Sequence, residues 1–151
     1  MANFQISKSI DINRPAETVF QYVTDISQAP SWRPNLSVRD FSGEPFEVGT
    51  TWSEVTKFMG RDMVVNFEVT ALEAGRHVET KQEGGGVSAN LVWNFNPGTD
   101  NSSTFTLSFD GELSGWIAGL ASGLLRNQAQ KDMKRDFSNL KSNLESNQTP
   151  S

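Results

Sequence analysis

Between Leu113 and Leu125 the chain carries no charge, while from Arg126 to Ser146 charges recur along an otherwise similar pattern. Apolar residues keep helical spacing through both parts, which predicts one long helix over residues 113–146 with two characters. In the first part Trp116, Ile117, Leu120, Leu124 and Leu125 stand among Gly115, Gly119, Gly123 and the small Ala118, Ala121 and Ser122. Each glycine inside a helix costs about 1 kcal/mol relative to alanine, so these three glycines together cost about 3 kcal/mol. Two circumstances justify such a cost. Either the helix lies close on bulky aromatic residues, or its smooth side walls a space that stays empty. The second is preferred, because apolar small molecules are held in pockets of a few hundred Å³ lined by aromatic groups with a few polar ones.

In the charged half, Ala129, Met133, Phe137, Leu140 and Leu144 continue the apolar stripe, with Lys131, Asp132, Lys134, Arg135, Asp136, Lys141 and Glu145 assigned to the solvated side. A helix of this length, about 48 Å for ~32 residues, needs a large apolar surface to lie on. The rest of the chain supplies one. Phe4, Ile6, Ile10 and Ile12 alternate with polar residues as a half-buried strand, with Lys8 as an exception expected to reach solvent. Asn13 is placed to cap a short helix in which Pro15 fits the first turn and Val19, Phe20 and Val23 form the stripe. Residues 26–31 suit a further helical turn, and Pro34 forces Arg33 toward an extended conformation.

Strands then follow over 36–41, 50–59, 62–72, 77–83, 87–96 and 103–113, separated by turns that contain Gly43, Pro45, Gly49, Gly60, Gly75, Gly84–Gly86 and Pro97–Gly98. Met63, Val65, Phe67, Val69 and Ala71 alternate with polar residues, as do Val87, Ala89, Leu91, Trp93 and Phe95, and then Phe105, Leu107, Phe109 and Leu113. One-sided strands with short connections imply an antiparallel meander with one wet face. The fold class is therefore α+β: a curved antiparallel sheet of about seven strands, in the order β-α-α-β6-α, against a long carboxy-terminal helix. Residues 1–146 are read as one domain and 147–151 as a frayed polar tail.

Composition removes several function classes. The chain of 151 residues has no cysteine and a single histidine, so thiolate chemistry and Cys- or His-rich metal sites are excluded and no metal or cofactor is expected. A net charge of -5 without any basic run argues against nucleic-acid partners. The uncharged stretch is shorter than the ~20 residues that span a bilayer, and no secretory signal is visible, so a cytoplasmic protein without a membrane span is expected. Monomer or weak homodimer is the expected assembly.

The segment Ile10-Asp11-Ile12-Asn13-Arg14-Pro15-Ala16-Glu17-Thr18-Val19-Phe20-Gln21-Tyr22-Val23-Thr24-Asp25, followed by Trp32, by Val48-Gly49-Thr50-Thr51-Trp52, by Phe67-Glu68-Val69-Thr70 and by the Leu140–Glu145 ending, resembles the START-like superfamily. These are helix-grip proteins, also called Bet v 1-like or SRPBCC, and the resemblance is to their polyketide cyclase/dehydrase and lipid-transport branch. It covers nearly the whole chain and specifies the fold better than the activity, since the superfamily includes carriers, cyclases, hydrolases, quinone-binding proteins and hormone receptors. What it implies is a deep apolar cavity between sheet and carboxy-terminal helix, with Trp32 and Trp116 flanking its mouth.

The candidate ligand-binding residues are Trp32, Trp52, Glu54, Phe67, Thr80, Trp93, Phe95, Phe109, Trp116 and Leu120. Glu54 is also the one candidate for catalysis. It shares parity with Trp52 and Phe58, and an inward carboxylate there would have a raised pKa suited to acid–base work. Val55 and Met59 make the strand ambiguous, and a slipped register puts Glu54 in water, which is the expected orientation. Thr80 and Gln82 either offer neutral hydrogen bonds to a ligand or sit at the sheet rim. His77 shares parity with Glu79, Lys81 and Glu83 and is expected at the surface. Gly84-Gly85-Gly86 precedes a strand, whereas a phosphate loop needs a helix there, so it is read as a hairpin.

Three functions compete: a binder or carrier of a hydrophobic molecule such as a lipid, quinone or polyketide-like aromatic; a cyclase or dehydratase using the same cavity; and an adaptor engaging another protein. The first requires only the cavity and is the expectation carried forward. The second needs an inward ionisable group, and the third needs an exposed apolar patch.

Overall fold

The computed structural model describes residues 2–43, 45–120 and 122–146, so the tail expected to fray, 147–151, lies outside the described residues. The elements are β1 (Ala2–Ile12), α1 (Ala16–Thr24), a 3-10 turn (Ile26–Gln28), α2 (Ala29–Trp32), β2 (Leu36–Arg39), β3 (Thr51–Phe58), β4 (Arg61–Glu73), β5 (His77–Gly84), β6 (Val87–Pro97), β7 (Ser103–Leu113), α3 (Gly115–Ala118) and α4 (Ser122–Ser146). The strands make one seven-stranded antiparallel sheet in the order β1-β7-β6-β5-β4-β3-β2. Each strand from β2 to β6 pairs with its successor, through short turns except at the longer connection over residues 40–50 between β2 and β3. The helical link from β1 to β2 instead crosses the end of the sheet, which leaves those two strands at its edges. This is the helix-grip fold, with α4 lying on the concave face.

The strand alternation is kept where the sequence shows it, with one interruption. In β4 the inward set Met63, Val65, Phe67 and Val69 is at most 6 % exposed. The register then shifts between Val69 and Ala71, so Leu72, opposite the fully buried Val78, takes the inward place expected of Ala71. Arg39 ends β2 short of Phe41, where Asp40 turns the backbone to φ 54°.

The expected single helix over 113–146 is broken. Leu113 ends β7, Ser114 is extended, and Gly115 takes φ 66°, a conformation that glycine adopts without strain. One turn, α3, follows and closes when the Gly119 N–H donates to the Trp116 carbonyl at 3.2 Å and the Leu120 N–H to Ile117 at 3.3 Å. These are i→i+3 bonds, the tight ending of a helix. A segment with a glycine every fourth residue has too little helix propensity to bridge the gap to α4.

One end of the molecule is solid. Ile12, Val19, Phe95, Phe105, Phe137 and Leu140 are at most 2 % exposed. Ring centroids lie 5.2 Å apart for Phe20 and Phe95, 5.1 Å for Phe95 and Phe105, and 5.4 Å for Phe105 and Phe137. A polar clamp ties α4 to β1 outside these rings. The Asn13 N–H donates to the Glu145 carboxylate at 2.8 Å, and Lys141 donates to the same carboxylate at 2.8 Å and to the Asp11 carbonyl at 2.7 Å. Asn13 thus serves the last turn of α4 and does not cap α1, whose N-cap is Pro15. Among the described residues no helix is long and apolar enough to cross a membrane.

Candidate ligand cavity

Toward the other end, sheet and helix separate around a cavity of about 280 Å³. Met63, Val65, Phe67, Leu91, Trp93 and Phe109 form its floor. Ile117 of α3 and Leu125, Ala129 and Met133 of α4 face them, and Val23, Ile26, Ala29 and Trp32 of the short helices close one side. Asn143 and Asn139 of α4 hold those helices in place, donating to the carbonyls of Ser31 at 2.9 Å and Trp32 at 3.2 Å. The exposed Asn35 and Lys57 are also in the lining, which puts an opening beside the start of β2 and the end of β3.

Five of the residues named from sequence lie in this lining: Trp32, Glu54, Phe67, Trp93 and Phe109. The other five do not. Trp52 stacks flat behind Phe67, at 5.1 Å and 3° between planes. Phe95 belongs to the solid end. Thr80 is fully buried within the sheet's inner layer, off the cavity. Trp116 is half-buried and capped by the Arg61 guanidinium 4.4 Å from its ring centroid, so it does not flank the opening with Trp32. Leu120, just past α3, is half-buried outside the lining.

The glycines also differ from expectation. Gly115, Gly119 and Gly123 are solvent-exposed. A Cβ at Gly115 or Gly123 would meet nothing within 4 Å. Close approach to aromatics is therefore not their reason, and they do not wall the cavity. Their effect is to interrupt the helix, and the large side chains of the uncharged segment that reach the cavity are Leu113, at the end of β7, with Ile117 and Leu125.

Glu54 points inward, against the expected solvent orientation, and is 4 % exposed. The pairing of β3 with β4 runs without a bulge, placing Trp52 opposite Phe67 and Glu54 opposite Val65, both inward positions. Its charge is met by Arg33, which sequence reading noted only as the residue before Pro34. Pro34 carries the chain out of α2 and Leu36 then pairs with Thr56, which delivers Arg33 to the inward side of β3. Arg33 donates through Nη2 to Oε1 at 2.8 Å and through Nη1 to Oε2 at 3.2 Å, and the Trp52 indole donates to Oε2 at 3.0 Å. Burial alone would lower the Arg33 pKa; the charge and hydrogen bonds of Glu54, with Asp136 adding to them, outweigh it and hold the guanidinium above its ordinary value.

The rim beside this pair comes from the supposedly solvated face of α4, since Asp132, Arg135 and Asp136 all line the cavity. Arg135 bonds Asp136 at 2.9 Å and lies 3.6 Å from Asp132. Burial pushes the Asp136 carboxyl up, a shift only partly opposed by Arg135 and Arg33. Helical periodicity assigns these residues outward because it does not reveal that α2 overhangs this part of the helix. Among the described residues no group of three His, Cys, Asp or Glu side chains is placed to hold a metal ion. The chemistry on offer is an apolar chamber for a molecule of about two fused rings, given that ~150 Å³ accommodates benzene, with a network of two guanidinium groups and three carboxylates at one side.

Over residues 3–145 the sequence matches the family described as polyketide cyclase / dehydrase and lipid transport. No curated protein matches it in sequence. Among solved structures, the START superfamily protein from Mycobacterium smegmatis superposes with a TM-score of 0.76 at 17% identity, covering 94% of this chain and 97% of that one. The Zhui aromatase/cyclase from Streptomyces sp. R1128 gives 0.77 at 14% identity, covering 95% and 94%. A conserved protein from Geobacillus kaustophilus gives 0.78 at 18% identity, covering 95% and 96%. At these identities the likeness is one of fold.

Proposed function

The chain belongs to the polyketide cyclase/dehydrase and lipid-transport family, and from that premise we propose that it binds or carries a hydrophobic small molecule in the chamber between sheet and α4. The observation that carries this reading is the cavity of about 280 Å³, its floor and ceiling built from Phe, Trp, Leu, Met, Val and Ile side chains. A core of this size is ordinarily packed to crystal density, and voids of this volume are not left without use. Trp32, Phe67, Trp93 and Phe109 would make the ring contacts. Ala129, opposite the floor, offers a direct test. Native mass spectrometry of gently purified protein is expected to find an apolar molecule travelling with the wild type, and Ala129→Phe, which fills the chamber, is expected to lose it. Wild-type protein that binds no apolar probe in titration, or an unchanged ligand load in the filled variant, contradicts the proposal.

A second reading is favoured by one specific feature, the Arg33–Glu54 pair with Asp136 beside it. A carboxyl whose pKa is pushed up by burial at a cavity edge is a candidate proton donor, and the fold also serves the Streptomyces aromatase/cyclase. In a cyclase or dehydratase of this kind Asp136 would move the proton and Glu54, held by three donors, would keep Arg33 charged and in position. Carriage ranks first because it needs no proton transfer from groups already paired with one another. Turnover of a linear polyketone analogue by the wild type, lost in Asp136→Asn with binding retained, would reverse the ranking.

A further inference from the structure

The two edges of the sheet are protected unequally. An edge strand presents unpaired N–H and C=O groups that invite another strand, and short edges or inward-pointing charges blunt it. β2 is a four-residue edge, and just beyond it Asp40 turns the backbone to φ 54°. β1 runs for 11 residues in unbroken register with β7 and has no such stop. Which of its backbone groups are free follows from the clamp at its end. Lys141 donates to the Asp11 carbonyl and the Asn13 N–H donates to Glu145, so the odd-numbered residues turn their backbone groups away from β7. The side chains agree. Ser7 bonds Ser108 at 2.9 Å and Ser9 bonds Thr106 at 2.8 Å, contacts that suit the closer, non-hydrogen-bonded pairs of a ladder. Asn3, Gln5, Ser7 and Ser9 therefore hold a row of N–H and C=O groups along the free edge.

This row is nearly self-complementary. Laid antiparallel against a second copy about Ile6, the middle of the free stretch, it sets Asn3 opposite Ser9 and Gln5 opposite Ser7 on the outer face, and Ile6 opposite Ile6 on the inner one. The one misfit is Lys8. It lies on the inward side of β1 between Ile6 and Ile10, opposite Leu107 of β7, half-buried and in no ion pair among the described residues. In the paired arrangement it falls on Phe4 of the second copy, whose ring already carries the Arg126 guanidinium 4.9 Å from its centroid. A lysine so placed keeps its ammonium in water by reaching past the strand edge. An added strand closes that route over a charge without a partner. We propose that the free edge of β1 is a pairing surface for a second copy of this chain and that Lys8 holds the two copies apart, which keeps the protein monomeric.

Sedimentation equilibrium of the full chain tests this. The wild type is expected to be monomeric. Lys8→Ile is expected to dimerise, its association constant at least about a hundredfold higher, a factor of about ten for each of the two lysines relieved. Lys8→Gln, which removes the charge alone, should fall between, and Lys8→Arg should stay monomeric. Adding Ser7→Pro to Lys8→Ile should undo the dimer, because proline removes an N–H that faces the free edge and none from the ladder to β7. Amide hydrogen exchange gives a readout in the wild type itself. There the N–H groups of Gln5, Ser7 and Ser9 should exchange fast and those of Ile6, Lys8 and Ile10 slowly, whereas in the Lys8→Ile dimer both sets should be protected. The inference is overturned by Lys8→Ile and Lys8→Gln that both stay monomeric, by a dimer that survives Ser7→Pro, by a wild type that already pairs through β1, or by protection of the odd-numbered amides in the monomer.

Discussion

The two halves of α4 lie on the same sheet and do opposite things. Leu140 and Leu144 are at most 7 % exposed and belong to the solid end, and Phe137, 5.4 Å from Phe105, marks its border, since both rings also line the cavity. Leu125, Ala129 and Met133 keep the same helical spacing and instead face empty volume. The difference is set by what stands opposite and beside each half. At the solid end α1 brings Val19 and Phe20 down onto Phe95, whereas at the hollow end the short helices stand to one side and small residues, Ala29 and Ala129, border the gap. One amphipathic stripe can therefore serve as core and as binding wall, with neighbouring elements deciding which.

The sharpest way to break this comparison is to truncate both halves. Leu140→Ala, in the solid end, should cost about 4 kcal/mol in urea unfolding, while Leu125→Ala, which already borders a void and gives up fewer contacts, should cost about 2 kcal/mol. Equal losses would mean that the two halves are packed alike. Glu54→Ala should cost about 3 kcal/mol, because it leaves the Arg33 charge and the Trp52 N–H without their acceptor; replacing both ends of the pair, Arg33→Met with Glu54→Leu, should recover most of that loss. Were the double variant as unstable as the single one, the cost would lie in packing and not in the uncompensated charge. A smaller effect of opposite sign is expected at Gly123, where a Cβ meets nothing within 4 Å, so Gly123→Ala should raise stability by about 0.5 kcal/mol. Gly111→Ala is the control, since its Cβ would lie 2.3 Å from that of Ala89 and should destabilise the fold.

The smallest expected effect lies outside both halves, at His77. Hydrogen bonding to Glu79 at 2.7 Å and to Asn94 at 2.6 Å raises its pKa above the ordinary histidine value. A folded-state pKa above the unfolded one means that the folded protein binds the proton more tightly. The stabilisation is fully present below about pH 6.5, the unfolded value, and is lost as pH rises through the folded one. Melting temperatures of wild type and His77→Gln measured from about pH 5 to pH 8 should converge toward the alkaline side. A gap independent of pH would assign the effect to something other than this titration.

The strands were legible because alternation is a local signal: β6 and β7 read directly from Val87–Phe95 and Phe105–Leu113. Position along a helix was legible for the same reason in Phe137, Leu140 and Leu144. The candidate site was legible by half. Phe67, Trp93 and Phe109 follow from parity on their strands, but Trp52 and Phe95 share that inward parity and lie off the cavity, since parity gives the face and not the place along it. Arg33 carried no periodic signal at all, and Asp132, Arg135 and Asp136 carried a misleading one.

Residue order alone determined a curved sheet with one dry face, a terminal amphipathic helix to cover it, and the absence of thiol chemistry, because hydrophobic periodicity and composition need no knowledge of distant neighbours. Only the tertiary structure decided that the helix breaks at Gly115–Gly119, that Glu54 turns inward onto Arg33, and that Asp132, Arg135 and Asp136 line the cavity. Those outcomes depend on strand register and on which elements overhang which, and both are fixed by contacts between residues far apart in the chain.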